Sequence, residues 1–343
     1  MAPQVRAGRP RPASGKSSDI LVLSMTQSQT QTGGRKTWDA VVVGDLFIDE
    51  VLSEFQSLPK LGEESFARQF RREIGGGAAI TACGLARLGM KVAVLGVVGK
   101  EDGMWLVKRF IEHGVDATAL EHHPDEPTGL TVSVSTREDR AYFTYYGANV
   151  VLPRLLAEPA SRKLMADARH VHFACAPDRV LGHSLFSALH RRKCRISIDV
   201  GWHPSWLTDP RNSEMLQECD IFLPNEREAE LMTRESEPHK MLRALRDRKL
   251  RAVGLKLGGK GAALLWNKTD LICDPHPVVN LDTTGAGDSF DAGFIYAWLK
   301  NEPPQRCLEI ANICGALSTR ALGGIASFPT LKELRRALEA RQM

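Results

Sequence analysis

The sequence lacks the features that mark several large functional classes. It has no apolar run approaching the ~20 residues that a membrane-spanning helix needs, so we expect no membrane association. Its seven cysteines never form a Cys-x-x-Cys pair. This spacing argues against a disulfide framework and a zinc site, and favours a reducing compartment such as the cytoplasm. The sequence also lacks Gly-x-x-x-x-Gly-Lys-Ser/Thr, and its first strand-like run is not followed by Gly-x-Gly-x-x-Gly. It therefore has neither the P-loop nor the usual dinucleotide fingerprint.

Positive charge is concentrated at the N-terminus. The formal net charge is +4, but residues 1–37 contain six Lys or Arg and one acid, so the rest of the chain is close to neutral. A near-neutral body argues against nucleic acid as a partner. Residues 1–37 are rich in Pro, Ser and Gln and lack a sustained apolar run. We expect them to form a disordered basic tail before one folded domain over residues 38–343.

Strand-like runs alternate with helical patterns along the body of the chain. The strand-like runs cover residues 40–45, 91–98, 170–174, 195–200, 220–223 and 251–257. Such alternation predicts an α/β fold, with a doubly wound, mainly parallel sheet flanked by helices. Two further units, at about 51–73 and 128–146, lie outside the alternation, and the second turns at 137–140. They predict a small separate antiparallel sheet.

One stretch carries most of the functional information. Residues 282–294 have the sequence Asp-Thr-Thr-Gly-Ala-Gly-Asp-Ser-Phe-Asp-Ala-Gly-Phe, and an apolar stripe from Ser289 onward predicts a helix. A glycine turn at a helix N-terminus exposes N–H groups that favour an anion. Asp288 puts a carboxylate beside this anion site, where negative charge would be repelled. Its presence is explained if it accepts a proton from a hydroxyl that attacks a phosphoryl group. The turn alone would equally suit a helix capped by an acid.

The whole stretch resembles the C-terminal signature of the ribokinase-like (PfkB) carbohydrate kinases and matches it at every position. The resemblance implies an ATP-dependent phosphotransferase acting on a hydroxyl of a sugar or sugar-like molecule. Asp288 would be its general base, and the backbone N–H groups of Gly285, Ala286 and Gly287 would form an anion hole. The small sheet would be a lid over the acceptor, which in some relatives also joins two subunits. A homodimer through the lid is therefore one expectation.

Two more segments fit the same family on the acceptor side. Asp49 lies beyond the first strand, where open α/β sheets place ligands, and an Asp here bonds sugar hydroxyls in the family. Three glycines then open a helix and permit close approach to a ligand, although tight helix packing would explain them as well. They are Gly75, Gly76 and Gly77. Two positions depart from the pattern: Phe47, often polar in ribokinases, and Ile80, usually Asn. A nucleoside is therefore an alternative acceptor.

The nucleotide side rests on weaker segments. Asn225 and Glu228 fit the family's Asn-x-x-Glu motif, which positions Mg²⁺ and its waters, although acids also occur at helix N-termini for the dipole alone. The other nucleotide-binding residues that we predict lie on a glycine loop and a late helix: Lys256, Gly258, Gly261, Asn312 and Gly315. Asp282, together with the loop at residues 323–324, resembles the monovalent-cation site of some relatives, which would hold K⁺.

Some assignments stay open or are not made. Asp199 receives no catalytic role, because Gly201 replaces the Asn of the family's Asp-x-Asn segment. A non-catalytic sugar sensor is an alternative from another class, and the intact Asp288, Asn225 and Glu228 speak against it. A dinucleotide oxidoreductase is the least supported alternative, since the chain lacks the dinucleotide fingerprint.

Overall fold

The structure is a computed structural model that describes residues 36–341 except 56, 58 and 136–139. Most of the predicted tail, residues 1–37, and most of the turn predicted at 137–140 lie outside the described residues. All seven cysteines are buried and carry free thiols, as their spacing predicted. Within the described residues, no helix combines the length and the apolar character needed to cross a membrane.

The strands, in chain order, are β1 (Trp38–Gly44), β2 (Phe47–Ser53), β3 (Gln69–Gly75), β4 (Val92–Leu95), β5 (Val97–Gly99), β6 (Glu121–His123), β7 (Gly129–Ser135), β8 (Arg140–Tyr145), β9 (Ala168–Ala174), β10 (Arg195–Ile198), β11 (Ile221–Phe222), β12 (Ala252–Lys256), β13 (Ala262–Trp266) and β14 (Thr269–Cys273).

The α-helices are α1 (Gly77–Arg87), α2 (Gly103–Glu112), α3 (Leu152–Ala157), α4 (Pro159–Ala166), α5 (Arg179–Arg191), α6 (Pro204–Thr208), α7 (Pro210–Leu216), α8 (Glu226–Thr233), α9 (Pro238–Asp247), α10 (Ala286–Leu299), α11 (Pro304–Ser318) and α12 (Leu331–Ala340).

The main sheet has eight strands in the order β14-β13-β12-β11-β10-β9-β1-β4. The pairs from β12 to β4 are parallel, and β13 and β14 add an antiparallel edge. In β1, Val41 and Val43 pack into one hydrophobic core, while Ala40 and Val42 pack into the core on the opposite face. Burial on both faces explains why the strands are continuous apolar runs rather than alternating ones. The doubly wound, mainly parallel fold is confirmed.

The small sheet has the order β3-β2-β7-β8. The pairs β2–β3 and β7–β8 are antiparallel, as predicted, but β2 and β7 join them in parallel. The sheet is therefore mixed, and its first strand begins at Phe47 rather than near residue 51. Asp49 consequently lies within this sheet and shares a face with Glu73 and Thr131, its direct partners in the ladder.

Two element boundaries differ from the sequence prediction. The run at 91–98 forms two strands in different sheets, β4 and β5, because the chain turns at Gly96, where a side chain would collide with Leu46. The helix after the glycine turn begins at Ala286 rather than Ser289. This earlier start places Asp288 in the first turn of α10, so that side chain and exposed N–H groups belong to one rigid element.

Candidate active site

Gly285 sets the conformation of the glycine turn. Its φ of +68° lies in the left-handed region that favours glycine, and it is the N-cap of α10. A Cβ atom here would come within 2.8 Å of Cδ1 of Ile80 and 2.9 Å of Cα of Gly324. Gly287, by contrast, lies inside the first helical turn. The turn at the start of α10 therefore follows from a single left-handed residue. Within the predicted anion hole, the N–H of Ala286 already donates to the carbonyl of Thr283 at 3.2 Å.

Asp288 is half-buried in that first turn. Its backbone carbonyl accepts a hydrogen bond from Oγ1 of Thr81 at 3.2 Å, which ties α10 to α1. Burial raises the pKa of the Asp288 carboxyl group to about 6, and the nearby negative charge of Asp199 adds to this effect while Lys256 opposes it. A carboxylate with such a pKa is ionised at neutral pH and is a stronger base than an ordinary Asp.

The predicted acceptor-side residues lie together. The carboxylate of Asp49 sits so close to the backbone of Gly75 that any Cβ atom at position 75 would overlap it. Two residues on, a Cβ atom at Gly77 would lie 2.9 Å from Oδ1 of Asp288. Between them, Gly76 has a φ of +90° and packs against the backbone oxygen of Asp45. The three glycines thus form a strip without side chains that joins Asp49 to Asp288.

The two acceptor-side carboxylates share one electrostatic environment. The pKa of Asp49 is raised to about 7, mainly by burial and then by the negative charges of Asp288, Glu73 and Asp282, in that order. A group held near its titration point is typical of functional sites.

The two departures from the family pattern have different surroundings. Phe47 is partly exposed on the same face of β2 as Asp49, and its ring meets that of Tyr146 edge-on at 6.1 Å. The hydroxyl of Tyr146 donates to Oδ2 of Asp45 at 2.7 Å. Ile80, however, is only 3% exposed and packs against Gly285 and Gly324. The Ile80 side chain therefore supports the glycine turn.

A cavity of about 350 Å³ opens on the other side of the first turn of α10. This size is within the range of small-molecule sites. All five residues predicted for the glycine loop and the late helix line it, together with Ala286 and Gly287. The full lining consists of Lys256, Gly258, Gly259, Gly261, Pro275, His276, Pro277, Val278, Asn280, Thr283, Ala286, Gly287, Phe290, Asn312, Gly315, Ala316 and Thr319.

Helix α11 forms one wall of this cavity. Nδ2 of Asn312 donates to the carbonyl of Asp274 at 2.6 Å, which fixes the loop after β14. A Cβ atom at Gly315 would lie 3.0 Å from the carbonyl of Ala286. The missing side chain therefore lets α11 pack directly against the first turn of α10.

Asn225 and Glu228 are bonded to each other in a capping box. Oδ1 of Asn225 accepts from the backbone N–H of Glu228, and the Glu228 carboxylate accepts from the backbone N–H and Nδ2 of Asn225. Burial raises the pKa of Glu228 to about 7, and the negative charge of Asp199 adds to the effect. Asn225 is the N-cap rather than a residue of the helical face, and its backbone pairs with Lys256 beside the cavity. Their oxygen atoms suit a hard cation such as Mg²⁺.

Asp282, the first residue of the signature, links the start of the glycine turn to the loop at residues 323–324. Its Oδ1 accepts from the backbone N–H and Oγ1 of Thr284 at 2.9 and 2.7 Å, and its Oδ2 accepts from the N–H of Gly323 at 2.8 Å. The carboxylate thereby links the segments that we predicted to form a K⁺ site. Dependence on K⁺ stays a prediction.

A buried ion network beneath the site was missed. Nζ of Lys256 lies 2.5 Å from Oδ2 of Asp199 and 3.2 Å from Oδ1 of Asp291. Burial alone would lower the pKa of Lys256, but the two carboxylates outweigh it and raise that pKa. Oxygen atoms of Asp199, Asp291 and Asp288 all lie within 4.8 Å of one another. Sequence reasoning had a usable signal: Asp291 interrupts the apolar stripe of α10, and a buried acid needs a partner.

Comparisons with known proteins show the family and the fold. The model of the pfkB family carbohydrate kinases matches residues 39–331. The ribokinase of Haemophilus influenzae is 26% identical over 312 residues, which cover 89% of this chain and 99% of that protein. The ATP-dependent ribose-1-phosphate kinase of Halopiger xanaduensis is 30% identical over 285 residues, covering 82% and 92%. The structure of Arabidopsis thaliana ribokinase complexed with ribose and ATP has a TM-score of 0.79 and 26% identity, covering 88% and 99%.

Proposed function

Because the chain belongs to the PfkB family of carbohydrate kinases, which are ATP-dependent phosphotransferases, we propose that it transfers the γ-phosphoryl group of ATP to a hydroxyl of a sugar-like acceptor. One observation carries the proposal. Asp288 lies in a helical turn whose preceding residues, Ala286 and Gly287, line the cavity, while its carboxylate faces Gly77 at the end of the glycine strip. The base thus stands between a cavity for the donor and a surface for the acceptor.

Each predicted residue then has a part in the transfer. Asp49 accepts hydrogen bonds from acceptor hydroxyls, and the glycine strip lets the acceptor approach the backbone closely. Asp288 accepts the proton of the attacking hydroxyl as the O–P bond forms and the bond to the leaving ADP oxygen breaks. The N–H groups of Gly285 and Gly287 stabilise the charge on the transferring group, and that of Ala286 joins them only when it leaves its hydrogen bond to Thr283. The lid excludes water, which would otherwise compete as acceptor.

The nucleotide and its cation would be held on the cavity side. Lys256, Gly258, Gly261, Asn312 and Gly315 would surround ATP. When bound, Mg²⁺ supplies positive charge that neutralises the phosphates. Asn225 and Glu228 would orient its waters, since the backbone of Asn225 pairs with that of Lys256, which lines the cavity, and Glu228 is bonded to Asn225. Asp282 would hold the loop of a K⁺ site.

The acceptor class rests on two observations. The named activities of two relatives, a ribokinase and a ribose-1-phosphate kinase, favour ribose or a ribose phosphate. The edge-on contact of Phe47 with Tyr146 on the Asp49 side of the lid favours a nucleoside as the second candidate, because aromatic rings pack well against a planar base.

Exposed aromatic side chains on the lid support a homodimer. Phe70, Phe143 and Tyr145 lie on the face opposite to Asp49 and are 60%, 65% and 52% exposed. Such a cluster of exposed aromatic side chains is typical of a surface that another protein covers. We therefore include lid-to-lid dimerisation in the proposal.

The test is an acceptor screen with γ-labelled ATP and Mg²⁺. Ribose, ribose 1-phosphate, fructose and adenosine are offered separately, and labelled product is separated from ATP. We expect label on at least one acceptor with the full chain and a loss of label with Asp288→Asn. If the protein binds ATP and a sugar but labels none of a wide set of acceptors, it is a sensor and the proposed function is wrong.

A further inference from the structure

We propose that Asp199 and Asp291 are positioning residues that hold the ammonium group of Lys256 toward the transferring phosphoryl group. The inference rests on the proposed function and extends it to two buried residues. It assigns them no contact with substrate, so they act through Lys256.

The ammonium group is held from two elements at once. Asp199 follows β10 and Asp291 lies on α10, and their carboxylates lie 2.5 Å (Asp199) and 3.2 and 3.3 Å (Asp291) from Nζ of Lys256. Oδ1 of Asp199 also accepts the N–H of Gly201 at 2.9 Å, so this carboxylate is itself fixed. A lysine ammonium has three N–H donors, and acceptors from two separate elements confine its otherwise flexible stem.

The confined group reaches the cavity. Lys256 is among its lining residues, and its side chain keeps 9% of its surface exposed. A Cβ atom at Gly287 would lie 3.5 Å from Nζ, so the ammonium group lies against the first turn of α10. The positive charge therefore stands beside the N–H groups proposed to receive the transferring phosphoryl group.

Asp199 is the main group that keeps this lysine charged, because burial holds the pKa of Asp291 well above its ordinary value, whereas the pKa of Asp199 is lowered. A buried ammonium group without partners loses its proton readily. Asp199 is 8% exposed and Asp291 is fully buried, so their attraction for the ammonium group is only weakly screened by water. A fixed, permanently charged group aimed at developing negative charge is the arrangement that stabilises such transition states most effectively.

A second lysine in the same loop provides a matched control. Nζ of Lys260 lies 2.8 Å from Oε1 of Glu226, and its side chain is 70% exposed. It is not among the residues that line the cavity. Lys260→Met therefore removes one positive charge from the same glycine loop without touching the network, and we expect turnover within about twofold of the wild type.

The decisive experiment is a double-mutant cycle on kcat at saturating ATP and acceptor, corrected for the folded fraction measured by circular dichroism. We expect Lys256→Met to lower kcat about 10²–10³-fold, as expected for one lost electrostatic group. We expect Asp199→Asn to lower it at least fivefold with acceptor KM unchanged. In the Lys256→Met background, Asp199→Asn should change kcat by less than twofold.

Asp291 is tested in the same cycle with Asp291→Leu, which is close in size. It should lower kcat in the wild-type background and have no further effect beside Lys256→Met, and Asp291→Asn should restore part of the loss. The inference would be overturned if Asp199→Asn and Asp291→Leu lowered kcat as much in the Lys256→Met background as in the wild-type background. It would also be overturned if Lys256→Met alone kept the kcat of the wild type. If Lys256→Met does not fold, Lys256→Gln replaces it throughout. Failure of the proposed function is distinct: the wild-type protein would then label no acceptor.

Discussion

The carboxylate of Asp49 fills the space that a side chain at position 75 would need. Because both are on adjacent strands of the lid, β2 and β3, the glycine is what allows the acid to lie over the strip. Gly75→Ala should therefore displace the carboxylate and raise the KM for the acceptor about 10- to 100-fold, the cost of a lost hydrogen bond to a charged group. Binding of ATP, measured by calorimetry, should be unchanged. An unchanged acceptor KM would contradict the placement of Asp49.

Activity should fall on the acid side. Burial and the charge of Asp199 raise the pKa of Asp288 to about 6, and a general base works only when ionised. We expect kcat/KM to fall as the pH drops, first near 7 as Asp49 takes up a proton and then below about 6 as Asp288 does. Asp49→Asn should lower kcat/KM but keep the fall below about pH 6. That result would assign this fall to Asp288 and not to Asp49, whose pKa is also raised. A flat profile down to pH 4.5 would show that Asp288 is not the base.

The raised pKa of Asp288 also predicts a gain in stability when the charge is removed. Between its ordinary pKa of 3.8 and about 6, the folded protein binds the proton more tightly than the unfolded chain. Stability from this group is therefore present below pH 3.8 and is lost as the pH rises through 6. Asp288→Asn should melt at a higher temperature than the wild type at pH 7.5, and the difference should shrink at pH 4. A lower melting temperature at pH 7.5 would contradict the burial of the charge.

The lid face predicts the oligomeric state. We expect a dimer by light scattering at micromolar concentration, and a monomer for the double variant Phe70→Lys/Phe143→Lys, because both rings lie on the exposed outer face. Val180→Lys is the control, since Val180 is 71% exposed on α5 in the main domain. A monomeric wild-type protein would rule out dimerisation through the lid.

Strand and helix patterns predicted the layers of this fold well. The runs at 40–45 and 170–174 became neighbouring parallel strands, because a strand buried on both faces must be apolar along its length. The pairing of β2 with β7, which joins the two hairpins of the lid, could not be predicted from such patterns. Parallel pairing of β2 with β7 links segments about 80 residues apart, and neither local turn chemistry nor alternation encodes such a partner.

The candidate site also combines local features that the sequence predicted with tertiary contacts that it did not. The signature predicted the position of Asp288 because the glycine turn and the helix are local features. Lys256, Asp199 and Asp291 come from three separate elements and meet only in the tertiary structure. Ile80 shows the same limit. The family pattern aligns its position with an Asn, but the packing of its aliphatic side chain against Gly285 is a tertiary contact that the local sequence does not reveal.

The most direct test of the account is the turnover of Asp288→Asn with the acceptor found by the screen, measured beside the affinity of the variant for ATP. The amide keeps the size of the side chain but cannot accept the hydroxyl proton as a base. We predict a fall in kcat of about 10²–10⁴-fold with ATP affinity unchanged within about twofold. Turnover close to that of the wild-type protein would contradict the assignment of Asp288 as the general base.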